Sequence, residues 1–127
     1  QDDLNGKNIV LFFYPRANTT GCTAQAGNLS ENYDRLTKAG YSIFGVSADQ
    51  AKHQSSFSNK FGFPYPLLAD TQKTLIDGFG VWGFKKFMGK EYEGILRTTF
   101  VLNKDSIITN VIEKVKTKDH TSQILDL

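Results

Sequence analysis

The chain has 127 residues, 39% hydrophobic and 22% charged, and its 15 basic and 13 acidic side chains leave a formal net charge of +2. That length is read as a single domain over residues 1–127, soluble and globular, with room for one sizeable core, and so even a charge balance excludes a nucleic-acid-binding reading. The one cysteine, Cys22, excludes a disulfide within these residues, and no stretch approaches the roughly 20 apolar residues needed to cross a bilayer.

The first predicted element is a strand over Asn8–Tyr14, whose continuous apolar run after Asn8 suits a central strand covered on both faces. Pro15 stops it. From about Thr20 to Lys38, Ala26, Leu29, Tyr33 and Leu36 recur at three- and four-residue steps, which predicts one helix with a buried stripe, ended by Gly40. Tyr41–Ser47 reads as a second strand. Asp49 is a candidate cap for a helix running to about Phe61, with Phe57 and Phe61 on one side.

Pro64 and Pro66 bracket a turn before a short third strand, Leu67–Ala69, and Asp70–Phe79 reads as a short helix. Val81–Leu96, broken by glycines, is expected to be irregular surface. Thr98–Leu102 and Ser106–Val115 have the pattern of a hairpin around Asn103-Lys104-Asp105, and Asp119–Leu127 that of a terminal helix with Ile124, Leu125 and Leu127 inward. A βαβ unit followed by a ββα unit makes the fold class α/β, a thioredoxin-like mixed sheet with helices on both faces. Flavodoxin-like folds share its first half.

Cys22 carries the chemistry this pattern offers. It stands where a strand, a turn and a helix start follow one another, and the first turn of a helix has free backbone N–H groups at the positive end of its dipole. A thiol held there ionises more readily, and the thiolate is the reactive form. Thr19 places a hydroxyl three residues before the sulfur, Gly21 lets the backbone approach closely, and Pro15 shapes the loop. The competing reading is an inert buried thiol. His53 and His120 lie far apart without ligand spacing, so no metal is expected. Lys85-Lys86 and Lys114, Lys116 and Lys118 read as solvated faces, and Trp82 as either a pocket wall or ordinary packing.

The run Phe13-Tyr14-Pro15-Arg16-Ala17-Asn18-Thr19-Thr20-Gly21-Cys22-Thr23 resembles the Pro-x-x-x-Thr-x-x-Cys active-site signature of the peroxiredoxins, in the wording of their bacterioferritin-comigratory (Q-type) branch. The resemblance continues through Phe44–Asp49, Phe63–Asp70, Gly80-Val81-Trp82-Gly83 and Arg97-Thr98-Thr99-Phe100, covering roughly residues 8 to 115. It implies a thiol peroxidase acting on hydrogen peroxide and alkyl hydroperoxides, with Cys22 the nucleophile and Thr19 and Arg97 beside it. Pro15, Thr20, Gly21, Gln25 and Trp82 would shape the loop and pocket, and no cofactor is required. The reductant would be thioredoxin, glutaredoxin or a small thiol.

Arg16 competes with Arg97 as the cation facing the sulfur. Two departures stand out. Many members carry Glu where this chain has Gln25, and many Q-type members carry a resolving cysteine where it has Gly27, so a one-cysteine cycle is expected. Members also have an N-terminal hairpin segment ahead of the first core strand. It is absent here, and the start at Gln1 is read as trimmed. A cytoplasmic monomer is the expectation.

Two rivals share the fold. A disulfide oxidoreductase would want cysteine at position 25, and a redox-inactive binding or holdase module would consume no peroxide.

Overall fold

The computed structural model describes the chain except residues 1–7, 16–19, 88–89, 104, 106, 114, 118 and 126–127, and except the side chains at 20, 21, 84–87 and 90–93. Strands β1 (Asn8–Phe13), β2 (Tyr41–Ser47), β3 (Leu67–Ala69), β6 (Thr98–Leu102) and β7 (Ile108–Ile112) form one sheet in the order β3-β2-β1-β6-β7. β1, β2 and β3 are parallel, while β6 runs antiparallel to both β1 and β7. The remaining strands, β4 (Trp82–Phe87) and β5 (Lys90–Ile95), pair only with each other.

Handedness distributes the helices. The steps β1 to β2 and β2 to β3 move the same way across the sheet, so right-handed crossovers put α1 (Thr20–Glu31), α2 (Tyr33–Lys38) and α3 (Ala51–Phe61) on one face. The return from β3 to β6 reverses direction, and it carries α4 (Thr74–Gly78) and the β4–β5 hairpin over the other face. α5 (His120–Leu125) returns to the first face, where Ile124 is buried beside Leu29 and Leu36. The alternation of β1 follows this split: Val10, Phe12 and Tyr14 join the core under α1, α3 and α5, and Ile9 and Phe13 join the core under α4 and the hairpin. This is the thioredoxin-like arrangement expected from the order of elements.

Four expectations are corrected. The helix predicted over 20–38 is two, because Asn32 leaves helical geometry (φ −108°, ψ 17°) and its side-chain amide donates to Asn28 O at 2.8 Å, an alternative to the backbone ladder. Asp49 does not cap α3. Gln50 holds that position, and Asp49 instead accepts from the Ser47 hydroxyl at 2.7 Å. The helix expected from Asp70 begins at Thr74, since the Asp70 carboxylate is drawn to the Ile76 N–H (2.8 Å) and spans the turn.

The fourth correction is the largest. Val81–Leu96 is a hairpin rather than irregular surface. Its glycines read as breakers, yet Gly83 lies opposite Gly94, and a Cβ on Gly83 would come within 3.2 Å of Leu96 Cδ1. Gly83 is there for close packing. Gly40, with φ +91°, ends α2 as expected, and Leu127 lies outside the described residues.

Candidate active site

Cys22 is the third residue of α1, in the first turn, and is 1% exposed. Pro15, half-buried, closes β1 just before residues 16–19. The expected roles of Thr19 and Arg16 fall on those residues and lie outside the description, as do the Thr20 and Gly21 side chains.

Arg97 reaches the sulfur through the sheet. Thr98 pairs with Phe13, so the residue ahead of β6 arrives where β1 ends and α1 is about to begin. From there Arg97 Nη2 donates to Cys22 Sγ at 3.3 Å across 75 residues of sequence, and Nη1 donates to Gln25 Oε1 at 2.6 Å. Gln25 lies one helical turn after Cys22 on the same face and is wholly buried. Because the guanidinium can only donate, Oε1 must be the atom facing it, which leaves Nε2 buried with no hydrogen-bond partner among the described residues. A buried donor in that state costs about 1–3 kcal/mol. The arrangement puts a fixed positive charge and a directed N–H against a thiol at a positive helix end. That suits a sulfur that must work as an anion and a leaving oxygen that must carry negative charge.

Two further polar sets lie beside this cluster. Buried Tyr14 donates its hydroxyl to Gln54 Oε1, and Gln54 Nε2 donates to Leu68 O at 2.8 Å. Burial first, and then the nearby Asp49 and Cys22 charges, push the Tyr14 phenol far above its usual range, against the pull of its bonds to Ser47 and Gln54. It therefore faces the site as a neutral dipole. His120, buried on α5, sits 2.7 Å from Thr99 Oγ1 through Nε2 and 2.9 Å from Gln123 Oε1 through Nδ1. The same Oε1 accepts from Lys116 N–H, so Nδ1 bears the proton and Thr99 donates to Nε2. Burial, reinforced by the Arg97 charge and opposed by Gln123, lowers the His120 pKa.

The two sets were not legible in the same degree. Gln54 shares a three-residue step with Phe57, so its burial could have been read from α3. His120 carried no signal, since its partners come from β6 and its own helix. Trp82 is not brought to the sulfur. It packs with the core under α4, and the Lys73 ammonium sits 3.7 Å from the centroid of its ring. Among the described residues, no three His, Cys, Asp or Glu side chains gather as a metal ion would need.

Residues 1–111 match the AhpC/TSA family, and the chain belongs to that family. Within it the chain falls in the bacterioferritin-comigratory, or Q-type, branch of the peroxiredoxins, and it is a thiol-dependent peroxidase. It is 40% identical over 124 residues to peroxiredoxin Bcp of Escherichia coli K12, covering 98% of this chain and 80% of that one. It is 39% identical over 123 residues to peroxiredoxin Bcp of Bacillus subtilis, covering 97% and 78%.

A solved structure of the Xanthomonas campestris bacterioferritin comigratory protein, studied for its alkyl peroxide reduction activity, superposes with a TM-score of 0.91. It is 33% identical and covers 98% of this chain and 79% of that chain. A cysteine-to-serine variant of the Xylella fastidiosa Q-type protein also gives 0.91, at 29% identity, covering 98% and 77%.

Proposed function

We propose that Cys22 is the peroxidatic nucleophile, that Arg97 is the cation it works against, and that hydrogen peroxide and alkyl hydroperoxides are the substrates. The observation that carries this is the 3.3 Å contact from Arg97 Nη2 to Cys22 Sγ in the first turn of α1. The thiolate attacks one peroxide oxygen and the O–O bond breaks. The sulfur keeps that oxygen as a sulfenic acid, and the other leaves as hydroxide or alkoxide, which takes up from solvent the proton the thiol gave up on ionising. Arg97 and the free N–H groups of the first turn of α1 offset the charge on the leaving oxygen. The Thr19 hydroxyl orients the peroxide, with Pro15, Thr20 and Gly21 setting the loop.

Within these 127 residues the cycle has one thiol to work with, since Cys22 is their one cysteine and Gly27 stands at the position five after it. An external thiol attacks the sulfenic acid, water leaves, and a second thiol releases Cys22 from the mixed disulfide. Thioredoxin, glutaredoxin or a small thiol fits that role, as does a monomer working in a reducing compartment such as the cytoplasm. No helix among the described residues is long and apolar enough to cross a membrane.

The test is Cys22→Ser. A serine hydroxyl provides almost no anion near neutral pH, so peroxide consumption with a generic thiol should fall by about 100-fold or more. A variant that keeps more than about one percent of the parent rate shows that another group is the nucleophile.

A further inference from the structure

We propose that the cleft lined by Leu96, Arg97, Thr98 and Glu113 receives the organic part of an alkyl hydroperoxide, and that Glu113 makes it select uncharged substrates over anionic ones. This rests on Cys22 and Arg97 being the reacting pair.

Strand register brings the cleft to the sulfur's end of the sheet. Thr98, the first residue of β6, pairs with Phe13, the last of β1, and Thr99 pairs with Ile112, the last of β7. Leu96, Arg97 and Glu113 therefore stand just past one end of the sheet, the end at which β1 leads on toward α1 and Cys22. With Thr98 they line an open cleft of about 470 Å³, a size usual for small-molecule sites. Arg97 belongs to both places. Its Nη2 lies 3.3 Å from Cys22 Sγ, and the same side chain walls the cleft. A molecule seated there has one end beside the guanidinium that holds the sulfur.

The other walls differ in chemistry. Leu96 is 37% exposed, and its backbone is held on both sides: its N–H donates to Val81 O at 2.6 Å, and its carbonyl accepts from the Thr98 hydroxyl at 3.0 Å. That bond uses the one hydroxyl proton of Thr98, so Leu96 stands as a fixed apolar wall. The carbon substituent of a hydroperoxide gains by covering it, and hydrogen peroxide has no such substituent. Glu113 is exposed and brings a carboxylate that is not spent on Arg97, whose side chain bonds to Cys22 and Gln25. With Arg97 alone the cleft would draw in anions, carboxylate-bearing hydroperoxides among them. A negative charge at the same cleft repels those and leaves a neutral tail unaffected. A site rejects unwanted ligands by such a repulsive element as much as by its attractive ones.

Second-order rate constants for peroxide oxidation of Cys22 test this when compared as ratios within each variant, which cancels any change in the amount of active protein. Leu96→Ala should lower the ratio of the cumene hydroperoxide rate to the hydrogen peroxide rate about fivefold, through lost apolar cover. An unchanged ratio overturns the cleft as the place of the organic part. A tertiary hydroperoxide bearing a carboxylate, set against its methyl ester, reads the charge. The acid-to-ester ratio should rise about fivefold in Glu113→Gln at low ionic strength, and less than about twofold in ~0.5 M salt, where exposed charges are screened. A ratio equal to the parent's at low salt overturns the selection, and so does a rise that salt leaves intact, which would make shape the cause. If Leu96→Ala does not fold, Glu113→Gln decides alone. A parent whose Cys22 is oxidised by neither hydrogen peroxide nor cumene hydroperoxide fails at the reacting pair and overturns both readings, whereas unchanged ratios with hydrogen peroxide still consumed overturn the cleft alone.

Discussion

The two faces of the central sheet are built differently. Under α4 and the β4–β5 hairpin the buried side chains are Ile9, Phe13, Val46, Ile76, Val81, Ile95, Phe100 and Leu102, and the one buried polar group that β6 adds there, Thr98, bonds locally to Leu96 O. Under α1, α3 and α5 the aromatic core is threaded by polar groups that join separate elements. Arg97 reaches Cys22 and Gln25, Tyr14 reaches Gln54, Tyr65 reaches the Ala26 carbonyl, and Thr99 meets His120. Apolar burial is non-directional, so it fixes how near two elements lie but says little about their angle. Hydrogen bonds fix direction. The face that carries the thiol has separate elements joined by side-chain bonds, whereas under α4 and the hairpin the described side-chain bonds, Asp70 to the Ile76 N–H and Thr98 to Leu96 O, are local.

That contrast predicts that the two faces fail in different ways. Phe13 is fully buried and touches Phe79 and Phe100, with ring centroids 5.4 and 5.7 Å away. Phe13→Ala should therefore cost about 3–5 kcal/mol of stability through lost burial and the cavity left behind. At a temperature where the variant is folded, its rate constant with peroxide should stay within about twofold of the parent. Denaturant unfolding and stopped-flow kinetics on the same sample separate the two readings. A rate lowered tenfold in the folded variant would show that the faces are coupled, and the contrast would fail.

Arg97→Met is the mirror case, and it belongs to the functional face. It removes the donor at 3.3 Å from Sγ and the partner of Gln25 Oε1. The rate with peroxide should drop about 10- to 100-fold, and part of the loss should persist at high pH, because the leaving oxygen also loses its donor. Arg16→Ala should do less. If Arg16→Ala has the larger effect on both the rate and the thiol titration, the cation at the sulfur is not Arg97.

Sequence reading recovered what local spacing encodes. The parallel strands, the stripe Ala26, Leu29, Tyr33 and Leu36, and the stop at Gly40 all rest on neighbours within a few residues. Cys22 was legible for the same reason, since strand, proline and helix start adjoin it. The β4–β5 hairpin was missed because Gly83 and Gly94 look like breakers until each is seen opposite the other. The break at Asn32 was missed because a buried stripe continues through it, while the asparagine amide competes for the Asn28 carbonyl. Arg97 could be singled out only through the family resemblance. Nothing in the stretch of sequence between it and Cys22 shows that β6 lies against β1. His120 was set aside as a ligand candidate, and its role in joining α5 to β6 depends on a partner 21 residues away.

The smallest expected effect sharpens the comparison further, because only the polar face should respond to mild acid. His120 is held neutral, with its pKa lowered from an ordinary 6.5 by burial first and by the Arg97 charge as well, against the Gln123 bond. In the unfolded chain the ring takes up a proton as pH falls through 6.5, while the folded ring resists until a lower pH. Between those points the unfolded state binds more protons, so stability is full above 6.5 and declines as pH falls toward the folded value. The slope from this one group cannot exceed about 1.4 kcal/mol per pH unit. Protonation would also turn Nε2 from acceptor to donor and reverse its bond with Thr99. Melting temperatures between pH 7.5 and 5.5 should therefore fall for the parent and fall less for His120→Gln, with His53→Gln, at an exposed site on α3, following the parent. Equal slopes for the parent and His120→Gln would assign the acid sensitivity to other groups and remove the difference in pH response between the faces.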